Sequence, residues 1–193
     1  WQYHLTALDQ ANIKTGENIL EVAVGPGLTI VELAKRAGKE SIIYGIDTST
    51  GMLSLAEQNL LSHGFSNFQL KEADSRQLPF EDNTFDFLYN GYMLDLIPVK
   101  DMPRILNEFH RVLKPGGRMI LLNMSKIDKS AKTSRETLYS ILPAKFMLYI
   151  LGGCRPVLME GMVNDAHFEN ISRTYLDGKF PSEIVKSTTP HHQ

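Results

Sequence analysis

Glycine and acidic residues recur at the ends of apolar, strand-length segments in the first half of the chain. Gly25-Pro26-Gly27 follows the apolar segment 18–24, and Asp47 closes the next apolar segment, twenty residues after Gly27. Glycines let the main chain approach a ligand closely, and the start of a following helix offers unpaired N–H groups to an anion. An acidic side chain at the end of a second strand is suited to accept hydrogen bonds from both hydroxyls of a ribose. The pattern therefore favours a nucleotide-like ligand.

Glu21 and Asp74 extend this constellation. Glu21 lies inside the otherwise apolar first segment, where a bare carboxylate is costly unless a ligand ammonium or backbone N–H groups bond it. Asp74 follows the third apolar segment, where it can accept a hydrogen bond from the exocyclic amine of an adenine. Structural alternatives stay open: a tight turn for the glycines, a loop-bonded carboxylate for Glu21, and a solvated loop acid for Asp74. Asp47 can also be a helix N-cap, although the two residues after it can cap instead.

The elements that must position these residues alternate along the chain between strand-length apolar segments and segments of helical period. This alternation predicts βαβ units and a mostly parallel sheet. The predicted elements are strand 18–24, helix 28–37, strand 41–46, helix 51–63, strand 68–72, strand 85–90, helix 102–113 and strand 118–123. Strands 171–176 and 181–187 flank Asp177-Gly178, which is a hairpin signal. We expect an α/β Rossmann-like three-layer α/β/α sandwich, with a mostly parallel sheet and a C-terminal antiparallel hairpin.

Four segments, in this order, resemble the motifs of class I S-adenosylmethionine-dependent methyltransferases. They are Ile19-Leu-Glu-Val-Ala-Val-Gly-Pro-Gly27, Tyr44-Gly-Ile-Asp-Thr-Ser-Thr-Gly-Met-Leu53, Ala73-Asp-Ser75 with Leu78-Pro-Phe-Glu-Asp-Asn-Thr-Phe-Asp86, and Arg111-Val-Leu-Lys-Pro-Gly-Gly-Arg118. The resemblance covers 15–124 and is greatest to the small-molecule branch that contains ubiquinone/menaquinone C-methyltransferases. Ala23 departs from the family pattern, because it replaces the first glycine of acidic-x-Gly-x-Gly-x-Gly. A methyl group there is tolerable if the backbone keeps a β conformation.

The resemblance implies S-adenosylmethionine as the cofactor and S-adenosylhomocysteine as its product. The glycine loop would hold the methionine part, Asp47 the ribose hydroxyls, Asp74 the adenine amine and Met52 an adenine face. Asn90 and Gly91 would lie near the sulfonium. The implied cofactor-binding residues are Glu21, Ala23, Gly25, Gly27, Asp47, Thr48, Met52, Asp74, Ser75, Asn90 and Gly91.

No catalytic residue is singled out by the sequence. Methyl transfer from a sulfonium is an in-line displacement, and alignment of the reactants contributes about 7–11 kcal/mol in well-oriented reactions. Tyr92 and Asp95 follow the fourth strand. Either can face the transfer site, or they can serve as a packing aromatic and a solvated or capping acid. Four of the histidines are expected to lie at the surface or to pack against other side chains: His4, His63, His110 and His167. No His/Cys spacing indicates a metal site.

We interpret 1–193 as one methyltransferase domain, with a cofactor-binding half (15–124), a substrate-lid insertion (125–166) and a terminal hairpin (168–188). The insertion is apolar, which suits a small hydrophobic or aromatic acceptor, although helices packed on the sheet edge are the alternative. Its apolar residues include Leu138, Tyr139, Ile141, Leu142, Phe146, Met147, Leu148, Tyr149 and Ile150. We expect Arg155 either to bind an acidic group of the substrate or to lie at the surface. Cys154 is predicted to be a small buried hydrophobic residue.

Composition excludes several functional classes. The chain of 193 residues has a formal net charge of −2 and 22% charged residues, without the basic excess that nucleic acid or an anionic membrane favours. Cys154 is the only cysteine, which excludes an internal disulfide and leads us to expect a cytoplasmic location. No apolar stretch reaches the roughly 18–20 residues of a membrane span, and no signal-peptide pattern is present. Because the chain starts at Trp1, we expect a preceding segment to contribute to substrate binding.

Two other functions fit parts of the pattern. An NAD-type oxidoreductase also carries an acid twenty residues past a glycine loop, but Ile30 stands where its fingerprint has a third glycine, and Glu21 and Asp74 have no role there. A non-catalytic S-adenosylmethionine-binding protein would keep the fold alone. The sequence leaves the acceptor, the methylated atom and the oligomeric state open.

Overall fold

The structure is a computed structural model that describes residues 1–127 and 155–191. Its elements, in chain order, are α1 (Gln2–Asp9), β1 (Asn18–Val22), α2 (Leu28–Ala37), β2 (Ile42–Asp47), α3 (Thr50–Ser62), β3 (Phe68–Glu72), β4 (Phe85–Gly91), α4 (Met102–Val112), β5 (Leu113–Met124), α5 (Met159–Asp165), β6 (Glu169–Leu176) and β7 (Ser182–Thr188). Two short 3₁₀ turns, Leu94–Leu96 and Val99–Asp101, lie between β4 and α4.

The strands form one seven-stranded sheet in the order β3-β2-β1-β4-β5-β7-β6. Strands β1 to β5 are parallel, whereas β7 runs antiparallel to β5 and β6 antiparallel to β7. The expected sheet with a C-terminal antiparallel pair is confirmed. The strand order reverses between β1 and β4, and the crevice outside the carboxyl ends at such a reversal is where open α/β sheets bind ligands.

Helices cover both faces of the sheet and give the expected three layers. Residues of α1, α2 and α3 pack on one face and those of α4 and α5 on the other. The apolar stripe of α4 shows why: residues three and four apart fall on one side of a helix, and all of them are buried. They are Met102, Ile105, Leu106, Phe109 and Val112.

Most element boundaries agree with the sequence-based prediction to within two residues, and two differences bear on the site. β1 ends at Val22 instead of residue 24, so the loop after it starts earlier. Helix α1 was not predicted, because only Ala7 and Leu8 of its eight residues are buried and its apolar pattern is correspondingly weak. β5 differs more, because it starts at Leu113, five residues before the predicted strand 118–123.

The predicted insertion is described only at its ends. Ser125 forms an isolated parallel bridge with Val157, and α5 follows. Residues 128–154, which include the predicted apolar lid and Cys154, lie outside the described residues. Within the described ranges, no helix is long and apolar enough to span a bilayer.

Candidate functional site

The loop between β1 and α2 turns sharply. Ala23, Gly25 and Gly27 all have positive φ angles, of 62°, 52° and 88° respectively, and Gly27 is the N-cap of α2. The β conformation that would make a methyl group at position 23 free of strain is therefore not adopted. The Val24 amide donates to the Ile46 carbonyl at 3.0 Å, so the chain must turn at Ala23 to follow the end of β2. A left-handed alanine costs about 1–2 kcal/mol.

Asp47 connects this loop to the start of α3. Its Oδ2 accepts a hydrogen bond from the Gly25 amide at 3.0 Å, and its Oδ1 accepts one from the Ser49 amide at 2.9 Å. Ser49 is the N-cap of α3, and its hydroxyl accepts a hydrogen bond from the Met52 amide. Asp47 therefore organises the two loops, while its carboxylate retains lone pairs for a ligand.

Two buried oxygens at the carboxyl ends of β1 and β4 have no hydrogen-bond partner within the described residues: Oε2 of Glu21 and Oδ1 of Asn90. Asn90 pairs with Val22 across the strands and donates its amide N–H to the Val22 carbonyl at 2.8 Å. Burial, followed by the nearby charge of Asp47, raises the pKa of Glu21 well above its ordinary value. Buried acceptors normally find donors. These two oxygens would be satisfied by a ligand that brings N–H groups, such as an ammonium.

A cleft of about 380 Å³ lies at the carboxyl ends of β1, β2 and β3, and Val22, the neighbour of Glu21 in the chain, is among its lining residues. It contains five of the predicted cofactor-binding residues, Ala23, Asp47, Thr48, Asp74 and Ser75. The remaining lining residues are Val22, Ile46, Ala73, Arg76, Met93, Ile97, Pro98 and Asp101. The predicted residue Met52 lies on the first turn of α3 and is 40% exposed.

Asp74 has a partner that sequence reasoning missed. The guanidinium of Arg76 donates to both carboxylate oxygens, with Nη2 to Oδ2 at 2.5 Å and Nε to Oδ1 at 3.0 Å. Asp101 lies 3.6 Å from another nitrogen of Arg76. The hydrogen bonds from Arg76 lower the pKa of Asp74, so this acid stays ionised and also serves as an ion-pair partner.

A second cavity, of about 600 Å³, opens beyond the end of β4. Its walls are largely aromatic, and one lysine lies at its edge. The lining residues are Trp1, Gln2, Tyr3, His4, Tyr92, Met124, Lys179 and Phe180. Tyr92 has a positive φ of 53°, and its hydroxyl lies 2.9 Å from Ser182 Oγ. We call this space the aromatic cavity.

Asp95 is fully buried, so its interpretation as a solvated acid is wrong. Its Oδ2 accepts a hydrogen bond from the Met124 amide at 3.2 Å, and its carbonyl accepts one from the Arg155 amide. Burial raises the pKa of Asp95 to about 6. Because Asp95 lines neither cavity, we assign it to the support of the loop after β4.

The other predicted side chains divide between surface and packing. His63 is exposed at the end of α3, and His110 packs edge-on against Phe168. His4 is different, because it lines the aromatic cavity on a helix that was not predicted. Among the described residues, no group of three His, Cys, Asp or Glu side chains could hold a metal ion.

Comparison with known proteins agrees with this architecture. A cyclase described as the [4+2]-cyclase SpnF has a TM-score of 0.80 at 18% identity over 99% of this chain and 82% of its own. A SAM-dependent methyltransferase from Aquifex aeolicus has a TM-score of 0.67 at 19% identity over 96% of this chain and 88% of its own. At these identities the likeness establishes the fold alone.

Sequence comparison is more specific. The demethylmenaquinone methyltransferase of Bacillus subtilis (strain 168) is 36% identical over 138 residues, which are 72% of this chain and 54% of that protein. The chain thus spans about half the length of the curated relatives it matches. The sequence model of the ubiE/COQ5 methyltransferase family matches residues 1–149. This chain therefore belongs to the ubiE/COQ5 methyltransferase family.

Proposed function

We propose that this chain transfers a methyl group from S-adenosylmethionine to a small aromatic acceptor of the quinol type. The observation that carries the proposal is the pairing of two cavities at the carboxyl edge of the sheet. One contains the acidic cofactor motifs and the other has aromatic walls, and the two consecutive residues after β4 line one cavity each, Tyr92 the aromatic cavity and Met93 the cleft. Such an arrangement lets an acceptor ring and a methyl donor meet in line.

Buried polar atoms support the assignment of the cofactor. Glu21 Oε2 is a buried acceptor without a partner among the described residues, and the methionine end of S-adenosylmethionine carries an ammonium that can donate to it. Asn90 Oδ1 is a second such acceptor, on the opposite face of the sheet. In this proposal, Gly25 and Gly27 form the loop that lets this end approach, and Ala23 lies beside it. When bound, S-adenosylmethionine supplies the methyl group from its sulfonium.

The nucleoside end of the cofactor is assigned to the cleft. Asp47 would accept hydrogen bonds from the ribose hydroxyls with its spare lone pairs, next to Thr48. Asp74 and Ser75 would bind the adenine amine. Met52 would cover an adenine face from the start of α3. Gly91 would lie near the sulfonium, at the end of β4.

The acceptor class follows from the second cavity. Aromatic side chains stack on planar rings, and Trp1, Tyr92 and Phe180 all line this space. The quinone methyltransferases among the relatives have names that point to the same class of acceptor. We also propose that the chain is a single methyltransferase domain with the boundaries given above.

The alternatives are less well supported. Ile30 occupies the position of the third glycine of a dinucleotide fingerprint and is fully buried against the position of Gly45. An NAD site also leaves the carboxyl of Glu21 without a donor. For a non-catalytic binding protein, the aromatic cavity would have no ligand. We further propose a cytoplasmic location and no nucleic-acid partner, which rest on the single cysteine and the net charge of −2.

Calorimetry and a transfer assay test the proposal together. The full chain is titrated with S-adenosylmethionine, S-adenosylhomocysteine and NAD. It is then incubated anaerobically with methyl-labelled S-adenosylmethionine and 1,4-dihydroxynaphthalene. We expect micromolar binding of the first two ligands, no binding of NAD, and label in the naphthalene product. Binding of NAD, or of none of the three, would overturn the proposed function. Binding of the sulfur ligands without label transfer to any phenolic acceptor would favour the non-catalytic protein.

A further inference from the structure

The most informative unassigned group is the imidazole of His4, which lines the aromatic cavity. Its Nδ1 lies 2.8 Å from the hydroxyl oxygen of Tyr89 and 3.3 Å from that of Thr29. The ring stacks on Trp1 with centroids 5.7 Å apart, and it meets the ring of Tyr92 edge-on at 5.4 Å. His4 is therefore held at a defined place between α1, β4 and the start of α2.

Gly91 provides the space for this arrangement. A Cβ atom on Gly91 would lie 2.8 Å from Cε1 of His4 and 2.9 Å from the hydroxyl oxygen of Tyr89. Any larger residue at the end of β4 would thus displace the imidazole or the phenol. The glycine therefore lets the His4–Tyr89 pair sit against the end of β4, beside the proposed position of the methyl donor.

From the hydrogen-bond pattern we assign the ring proton of His4 to Nε2. Tyr89 is fully buried, and burial raises its pKa well above the ordinary value, so its hydroxyl keeps its proton. A buried hydroxyl needs an acceptor, and Nδ1 of His4 is within reach. Burial lowers the pKa of His4 below its ordinary value, so the ring is neutral. With Nδ1 accepting, the one ring proton resides on Nε2.

We propose that His4, held in one tautomer by Tyr89, donates a hydrogen bond from Nε2 to a hydroxyl oxygen attached to the ring of the aromatic acceptor. The inference rests on the proposed function and deepens it, because it names the group that recognises the acceptor. Within the described residues, Nε2 has no hydrogen-bond partner of its own. The neighbouring rings of Trp1 and Tyr92 would cover the faces of the acceptor, while His4 fixes its rotation. Tyr89 acts through His4 and is a positioning residue.

Paired ligands and variants test the contact. The full chain, saturated with S-adenosylhomocysteine, is titrated anaerobically with 1,4-dihydroxynaphthalene and with 1,4-dimethylnaphthalene, which has a similar shape but no oxygen. Trp1 is the only tryptophan and lines the cavity, so quenching of its emission reports occupancy. The variants are His4→Phe, which keeps a ring, and His4→Gln, which restores an N–H donor.

We expect His4→Phe to weaken binding of the dihydroxy ligand about 5- to 10-fold, which is the usual size for one hydrogen bond. It should leave binding of the dimethyl ligand within about 2-fold of the parent. His4→Gln should recover part of the loss. Equal effects on both ligands, or no effect on either, would overturn the proposal.

A spectroscopic readout separates positioning from structural support. Long-range ¹H–¹⁵N spectra should show His4 protonated at Nε2 in the parent chain and a mixture of tautomers in Tyr89→Phe. A Nδ1-protonated ring in the parent would overturn the inference. Calorimetry with S-adenosylhomocysteine on each variant provides the control. If the parent chain does not bind S-adenosylhomocysteine, the proposed function is contradicted. If the variants bind it and still prefer the dihydroxy ligand over the dimethyl ligand as the parent does, only the role of His4 is contradicted.

Discussion

The Asp47 carboxylate accepts a hydrogen bond from the Gly25 amide at 3.0 Å, and this contact joins the end of β2 to the loop that follows β1. The same carboxylate bonds the Ser49 amide ahead of α3. One side chain thus sets the distance between the two loops at the cleft of about 380 Å³. In the proposed function it must also bind the ribose, so its removal affects both the shape and the chemistry of the site.

Asp47→Ala should therefore weaken binding of S-adenosylhomocysteine by about 10- to 100-fold, since hydrogen bonds to charged groups contribute about 1.5–3 kcal/mol. Asp47→Asn, which keeps one oxygen acceptor, should lie between the parent and the alanine variant. Calorimetry measures both affinities. Glu57→Ala, on the exposed side of α3, is the control and should bind like the parent. An alanine variant with parental affinity would exclude Asp47 from the site.

Glu21→Gln should stabilise the chain and impair its ligand binding. The folded-state pKa of Glu21 is raised above its ordinary value of 4.5, so the folded state favours the protonated acid, and its stability falls as pH rises above about 4.5. Glutamine removes this penalty. The free energy of unfolding should increase by about 1–3 kcal/mol at pH 7 and change little at pH 4.

Urea unfolding at the two pH values measures the stability effect, and calorimetry measures the loss of affinity for the ammonium-bearing cofactor. A variant that is destabilised at pH 7, or that binds S-adenosylmethionine as well as the parent, would contradict the assignment of Glu21.

Two substitutions in the loop after β1 should act in opposite directions. Gly27→Ala should destabilise the chain by about 2–4 kcal/mol, because an added Cβ at this positive φ would lie 2.5 Å from the Cα of Ala56. Ala23→Gly should stabilise it by about 1 kcal/mol, since glycine relieves the strain of a left-handed alanine. Thermal unfolding measured side by side checks both signs. A stabilising Gly27→Ala change would mean that α2 and α3 do not approach this closely.

Asp95 should make stability depend on pH in the acidic range. Its folded-state pKa of about 6 exceeds the ordinary value of 3.8, so stability should fall as pH rises from about 4 to about 6, by about 2–3 kcal/mol. Asp95→Asn keeps an oxygen to accept from the Met124 amide and should lack this contribution. Subtracting the two unfolding curves across pH 4 to 7 isolates the effect of Asp95 from that of Glu21. Parallel curves would show that the carboxyl of Asp95 is not desolvated.

The central elements could be predicted from the sequence because their patterns are local and strong. The stripe of α4 and the apolar segments of β1, β2 and β4 have the periods of buried helices and strands. The hairpin at Asp177-Gly178 carries its own turn signal. The backbone angle of Ala23 could not be predicted in this way, because alanine itself favours negative φ and the turn is imposed by the hydrogen bond between Val24 and the end of β2.

The sequence by itself determined the class of fold, the order of its strands along the chain and the acidic residues at their carboxyl ends. These features could be predicted because the local spacing of apolar residues and of turn residues indicates which segments are buried and where the chain turns. Only the tertiary structure decided which side chains meet across distant segments. In the tertiary structure Arg76 donates hydrogen bonds to Asp74, and the buried carboxylate of Asp95 accepts one from the Met124 amide of β5. His4 contacts the hydroxyl of Tyr89, eighty-five residues away. These contacts depend on how α1 and the loops pack against the sheet, and no local period encodes that packing.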